Sequence, residues 1–144
     1  VALLMVDVDH FKSVNDEYGH ATGDAALRAI AARLRSCLRG GDLLGRYGGE
    51  EFVILLPGAD ERAALVTAER VRQRIREARV DGVGRQVTVS VGCAVVRSAD
   101  PAEYELASLL DSADTAMYEA KSAGRDCVRL SNGVDRGREP GYRE

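Results

Sequence analysis

The chain has 144 residues, of which 45% are hydrophobic and 30% charged, and its net charge is −3. That length makes one domain with a self-sufficient core, and the slightly acidic balance gives no footprint for nucleic acid. No apolar run approaches the ~20 residues of a membrane-spanning helix and no signal peptide is visible, so no membrane segment is expected in this chain. Cys37, Cys93 and Cys127 show no metal-type spacing, and an odd count without a framework reads as reduced thiols in a cytoplasmic setting.

Val1 to Val6 is a continuous apolar run, as in a strand covered on both faces, and it ends in Asp7-Val8-Asp9. A chain that opens on a core strand reads as an excised fragment, with a sensory or regulatory domain upstream. Phe11, Val14 and Tyr18 recur at helical spacing and Gly19 stops a short helix. Leu27, Ile30, Ala31, Leu34 and Leu38 predict a second helix over roughly 23–38, ended by Gly40-Gly41. Leu43-Leu44 and Phe52 to Leu56 then flank Gly48-Gly49 and Glu50-Glu51. This is a hairpin with acid at its tip, where Gly-Gly would permit the positive φ angles of a two-residue turn.

Pro57-Gly58 ends the hairpin, and Ala64, Ala68, Val71 and Ile75 mark one face of an Arg-rich helix over 60–79. Val87, Val89, Val91, Cys93 and Val95 alternate with Thr88, Ser90 and Ala94, a strand of period two. Leu106, Leu109, Leu110, Ala113, Met117 and Ala120 mark a last helix closed by Gly124, and Asp126 to Leu130 a final short strand. From Ser131 the chain is Gly, Arg and Glu with one Pro, so residues 131–144 read as a disordered tail. The order predicts an α/β sandwich, with a mixed, mostly antiparallel sheet flanked by helices.

The chemistry gathers at strand ends. An Asp inside an apolar run is costly unless it is paired or binds a cation. Asp7 and Glu50, on separate strands, are the minimum needed to hold Mg²⁺ against a substrate's phosphates. Alternation along the second hairpin strand lets one of Glu50 and Glu51 point into a site while the other faces away. Against this stand ordinary readings: a solvated Gly-Gly turn, or Asp7 as a helix cap or salt-bridge partner of Arg46. The helix that follows Asp7 and Asp9 aims free amides at the same place, a natural cradle for phosphate. Of 20 Lys+Arg residues only Lys12 and Lys121 are lysine.

The segments Asp7-Val8-Asp9-His10-Phe11-Lys12, Asn15-Asp16, Gly19-His20, Gly23-Asp24, Arg46-Tyr47-Gly48-Gly49-Glu50-Glu51-Phe52 and Lys121-Ser122-Ala123-Gly124-Arg125 together resemble the GGDEF domain of bacterial diguanylate cyclases, in its GGEEF variant. The likeness runs from the first residue to about Leu130, so residues 1–130 form the domain. It implies the palm-like arrangement of class III nucleotide cyclases. It also implies a cytoplasmic homodimer that condenses two GTP into cyclic di-GMP with Mg²⁺ or Mn²⁺, two ions per active half-site. The family's N-terminal helix, which precedes the first strand, is missing here.

Carried over by position, the resemblance makes Asp7, the Val8 carbonyl and Glu50 the metal ligands, and lets Glu50 or Glu51 take the 3′-hydroxyl proton. The turn of His10, Phe11 and Lys12 contacts the triphosphate, with His20 as a further substrate contact. Asn15 and Asp24 read guanine: a carboxylate accepts from its N1–H and N2–H, whereas adenine would leave the acid unmatched. Lys121 and Arg125 clamp the triphosphate. Arg39 and Asp42 form the RxxD product-inhibition site, with Arg70 as a second arm.

Structural alternatives exist for each of these: a helix-surface Asn15, an N-capping Asp24, a dipole-favoured Lys121, and an Arg39–Asp42 pair that only closes a loop. The rival function is a catalytically silent domain that binds GTP or cyclic di-GMP. A cyclase making a mixed guanine–adenine product is opposed by Asp24.

Overall fold

The computed structural model describes residues 1–96 and 105–132. Its elements are β1 (Ala2–Val8), α1 (Phe11–Tyr18), α2 (His20–Ser36), β2 (Leu43–Gly48), β3 (Glu51–Leu56), α3 (Glu61–Glu77), β4 (Val89–Val95), α4 (Leu106–Ser122) and β5 (Val128–Leu130). They form one five-stranded sheet in the order β2-β3-β1-β4-β5. The β2–β3, β3–β1 and β1–β4 pairs are antiparallel and only β4–β5 is parallel, the mixed, mostly antiparallel sheet expected.

The apolar run that opens the chain becomes the central strand, with apolar side chains buried on both faces of the sheet. Leu4, Val6 and Val8 join Ile30 and Leu34 of α2 and Val71 and Ile75 of α3 in the larger core. Leu3 and Met5, pointing the other way, pack with Ala94, Leu109, Ala113 and Met117 under α4. Asp60 caps α3 by accepting from the Ala63 amide at 2.8 Å, and Ala64, Ala68, Val71 and Ile75 form its buried stripe.

Three local expectations are corrected. The strand of period two, expected from Val87, begins at Val89, and all seven of its residues are buried. Its polar-looking face carries Ser90, Gly92 and Ala94, small residues that let α4 lie against the sheet. A Cβ on Gly92 would stand 2.0 Å from the Ala113 carbonyl oxygen. Second, α2 begins at His20 rather than near residue 23, which places Asp24 inside the helix and removes the capping role for it.

Third, Gly48 and Gly49 do not adopt positive φ. The hairpin turns at Gly49-Glu50 after a bulge between Arg46 and Gly48, and Arg46 closes it by donating from Nε and Nη2 to the Gly49 carbonyl at 2.9 and 2.6 Å. The tail expected from residue 131 lies, from residue 133 on, outside the described residues.

Candidate active site

The end of β1 nearest the hairpin tip collects the acids. Asp7 is 5% exposed and lies directly across from Glu51 of β3. On the same face of the sheet α4 brings in Lys121, whose Nζ is 2.6 Å from Asp7 Oδ1 and 3.8 Å from Asp9 Oδ1. Apart from this ion pair Asp7 Oδ1 is buried without a hydrogen-bond partner. Burial pushes the Asp7 carboxyl above the ordinary carboxylate range and Glu50 adds to this, while Lys121 pulls it back. Glu51 is raised as well, by burial first and then by Asp7 and by Asp114 of α4.

The Val8 amide donates to the Glu50 carbonyl at 3.2 Å, so the Val8 backbone faces the hairpin tip, and in a strand its carbonyl points the same way. Arg46 is spent on Gly49 and is not the partner of Asp7. A Cβ on Gly49 would meet nothing within 4 Å, so the chain's own packing does not demand glycine there.

Among the described residues no three His, Cys, Asp or Glu side chains form a ready-made metal cage. Two carboxylates and a carbonyl are instead the sparse donor set suited to Mg²⁺, which takes its remaining ligands from water and phosphate. The buried Asp7 carboxyl, raised by burial and by the nearby Glu50 charge and balanced only by Lys121, fits such an ion.

Three residues past Asp7 the chain turns through His10 in the left-handed region (φ 55°, ψ 32°) and enters α1. No side chain caps α1 and no acid lies in its first turn, so the amides of Phe11, Lys12 and Ser13 form an uncompensated positive end. The Phe11 side chain is core, leaving only its backbone for a ligand, whereas His10, Lys12, His20 and Asp24 are exposed. Asn15 Oδ1 is buried and unpartnered. It lies over Gly23, where a Cβ would stand 1.7 Å from it. Asn15 is therefore not a helix-surface residue.

At the far side, the Arg125 amide donates to the Ala120 carbonyl at 3.0 Å, closing α4. Gly124, Arg125 and Asp126 then take φ of 115°, 66° and 44° in succession. Left-handed backbone at the two non-glycine positions costs about 1–2 kcal/mol each and persists only where surroundings enforce it. Arg125 is exposed.

Two anchors of this region are not among the site residues expected from the sequence. Asp9 accepts from Thr88 Oγ1 at 2.8 Å, Ser90 Oγ at 2.6 Å and the Asp126 amide at 3.0 Å. Asp126 accepts from Arg72 and Arg76 of α3 at 2.9 and 3.0 Å. The period-two spacing of Thr88 and Ser90 hints at a polar face for Asp9, but nothing local points to Arg72.

Arg39, Asp42 and Arg70 gather elsewhere. Asp42 folds back to accept from the Arg39 amide at 2.9 Å while its own amide donates to the Arg39 carbonyl at 3.1 Å. Gly41, φ 94°, supplies the left-handed third position of this turn. The loop is thus closed by Asp42 on backbone, not by an Arg–Asp side-chain pair. Arg70 donates to the Cys37 carbonyl at 3.2 Å, beside that turn. This cluster sits at the start of β2, whose six residues separate it from the Glu50 tip by roughly 20 Å at strand rise.

A family model described as "Diguanylate cyclase, GGDEF domain" matches residues 1–127. Diguanylate cyclase A of Treponema denticola is 41% identical over 133 residues, which are 91% of this chain but 35% of that protein's length. The structure of the active GGEEF domain of a diguanylate cyclase from Vibrio cholerae superimposes with a TM-score of 0.83 at 30% identity, covering 91% of this chain and 82% of that one. The GGDEF domain of DgcB from Caulobacter crescentus, in complex with c-di-GMP, superimposes with a TM-score of 0.78 at 31% identity over 90% of this chain and 76% of its own. A five-stranded palm with paired acids at one sheet end, matched by the family model over nearly all of its described length, makes this chain a member of the diguanylate cyclase GGDEF domain family.

Proposed function

We propose that this domain condenses two GTP molecules into cyclic di-GMP and two pyrophosphates. One observation carries the reading. Among the described residues the buried side-chain polar atoms without a hydrogen-bond partner are Asp7 Oδ1 and Asn15 Oδ1. One lies where a metal-held triphosphate is expected and the other where guanine is. An orphaned buried acceptor is destabilising by about 1–3 kcal/mol, so the Asn15 oxygen calls for a ligand donor, while Asp7 Oδ1, balanced only by the Lys121 ammonium at 2.6 Å, is a buried acid open to a cation.

In each of two steps the 3′-hydroxyl oxygen of one GTP bonds the α-phosphorus of the other, the bond to the bridging oxygen breaks, and pyrophosphate leaves. Asp7, the Val8 carbonyl and Glu50 would hold Mg²⁺ or Mn²⁺, which would supply positive charge against the phosphates. The α1 amides and Lys12 receive phosphate oxygens, with His20 close by, while Lys121 and Arg125 clamp the far end. Asn15 and Asp24 read the guanine edge. Glu51, held above the ordinary carboxylate range, is suited to accept the hydroxyl proton. One chain offers one nucleotide site, so a two-fold cyclic product requires a homodimer with the two GTP molecules face to face.

Arg39, Asp42 and Arg70 bind the product as a feedback site, a reading supported by the likeness to the DgcB domain in complex with c-di-GMP. An upstream sensory domain would set the dimer geometry in the cytoplasm. The test is incubation of concentrated protein with GTP and Mg²⁺ followed by chromatography of the nucleotides. Cyclic di-GMP from the wild type and none from a folded Glu50→Ala variant is expected. No product even from artificially dimerised wild type makes the domain a silent binding module instead.

A further inference from the structure

We propose that Arg72 and Asp126 are positioning residues for the triphosphate end of the site, acting through Arg125 and Lys121; the inference rests on the cyclase reading above. The backbone that presents Arg125 is a run of three left-handed residues, two of them not glycine. Such a run does not hold itself, and the ties that fix it converge on Asp126. Its amide donates to Asp9 Oδ2 at 3.0 Å, and its carboxylate accepts from Arg72 Nη1 at 2.9 Å and Arg76 Nη1 at 3.0 Å.

Arg72 is the better placed arm. Its side chain is 14% exposed, against 48% for Arg76, and a second fork onto Glu69 fixes its plane. A guanidinium held from both sides pins Asp126 in a way a flexible ammonium cannot. Asp9 completes the chain of contacts: its side chain is 1% exposed, one oxygen takes the Asp126 amide, and the other lies 3.8 Å from Lys121 Nζ. Displacing Asp126 therefore releases Arg125 directly and loosens the anchor beside Lys121. Helix α3, through Arg72 on Asp126, in this way sets where the two cations stand.

Arg72→Ala and Asp126→Ala should weaken binding of α,β-methylene GTP, whose α–β linkage cannot be cleaved, by about ten-fold or more in calorimetric titration with Mg²⁺. Affinity for GMP, which lacks the distal phosphates, should move less than about two-fold. Arg72→Lys, keeping the charge without the fork, should fall between. In an Arg125→Ala background Arg72→Ala should lose most of its effect and keep only the part that runs through Lys121.

A lower melting temperature with unchanged analogue affinity, equal losses for analogue and GMP, or full additivity with Arg125→Ala overturns the proposal. Should Arg72→Ala not fold, Arg76→Ala reads the same contact from its exposed arm and should show a smaller loss of the same kind. Wild type that binds the analogue yet never makes cyclic di-GMP sinks the turnover reading and leaves this one standing. Wild type that does not bind the analogue overturns both.

Discussion

Lys121 Nζ and Asp7 Oδ1 stand 2.6 Å apart, so the last turn of α4 is held to the end of the central strand by a shielded ion pair. The pair does two things. It offsets part of the rise that burial imposes on the Asp7 carboxyl, and it places a cation where the proposed triphosphate must arrive.

Removing that ammonium should therefore cost stability before it costs chemistry. Lys121→Met leaves a buried carboxylate unmatched and is expected to destabilise the ligand-free domain by about 2 kcal/mol, a discounted figure because Lys121 is partly exposed. Asp7→Asn in the same chain should restore most of the loss in denaturant melts. A Lys121→Met protein as stable as wild type would show the contact to be incidental.

The acid pair gives a pH signature. The carboxyls of Asp7 and Glu51 are raised in the fold, so between their ordinary values of 3.8 and 4.5 and the raised ones the folded state binds more protons than the unfolded. Stability then falls as pH rises through that window. Glu51→Gln should match wild type near pH 4 and melt higher than wild type at neutral pH, in the absence of metal and nucleotide. Parallel pH curves for the two proteins would refute this.

Gly23 and Gly92 separate binding from folding. A Cβ at Gly23 meets the Asn15 amide end, which can swing away, and Phe11 Cζ at 3.3 Å. Gly23→Ala should change stability by less than about 1 kcal/mol, since alanine favours the helix, yet raise KM for GTP by about ten-fold or more by displacing Asn15. At Gly92 the obstacle is α4 backbone, 2.0 Å from Ala113 O and 2.2 Å from Met117 N. Gly92→Ala should destabilise by about 3 kcal/mol or more, read as loss of the cooperative melt.

Asp24 projects from α2 without a hydrogen-bond partner among the described residues, free to accept from a guanine edge. Asp24→Ala should lower kcat/KM for GTP by about a hundred-fold while the melting temperature stays put. Unchanged discrimination between GTP and ATP would remove the residue from the base-reading role.

Asp42 is committed to the Arg39 backbone, which leaves the Arg39 guanidinium outward at a preformed turn. Arg39→Ala should abolish cyclic di-GMP binding, measured calorimetrically, without lowering initial turnover, because the turn is a strand's length from the acids. Retained product binding would relocate the feedback site.

The sequence alone decided the order of elements, the central apolar strand, the two acid-bearing strand ends and the motif spacing that marks the family. These are written in short-range periodicity and in residue types with one chemical use. Boundaries set by backbone geometry were less legible: α2 starts at His20 because Gly19, φ 89°, turns the chain there, and the Gly-Gly turn is closed by Arg46 rather than by positive φ.

Only the tertiary structure decided which groups meet. It put Lys121 on Asp7, buried the Asn15 oxygen against Gly23, and tied Asp126 to Asp9 and to Arg72. Such contacts join residues far apart in the chain, and helical or strand periodicity records the face a side chain occupies but not the partner packed against it.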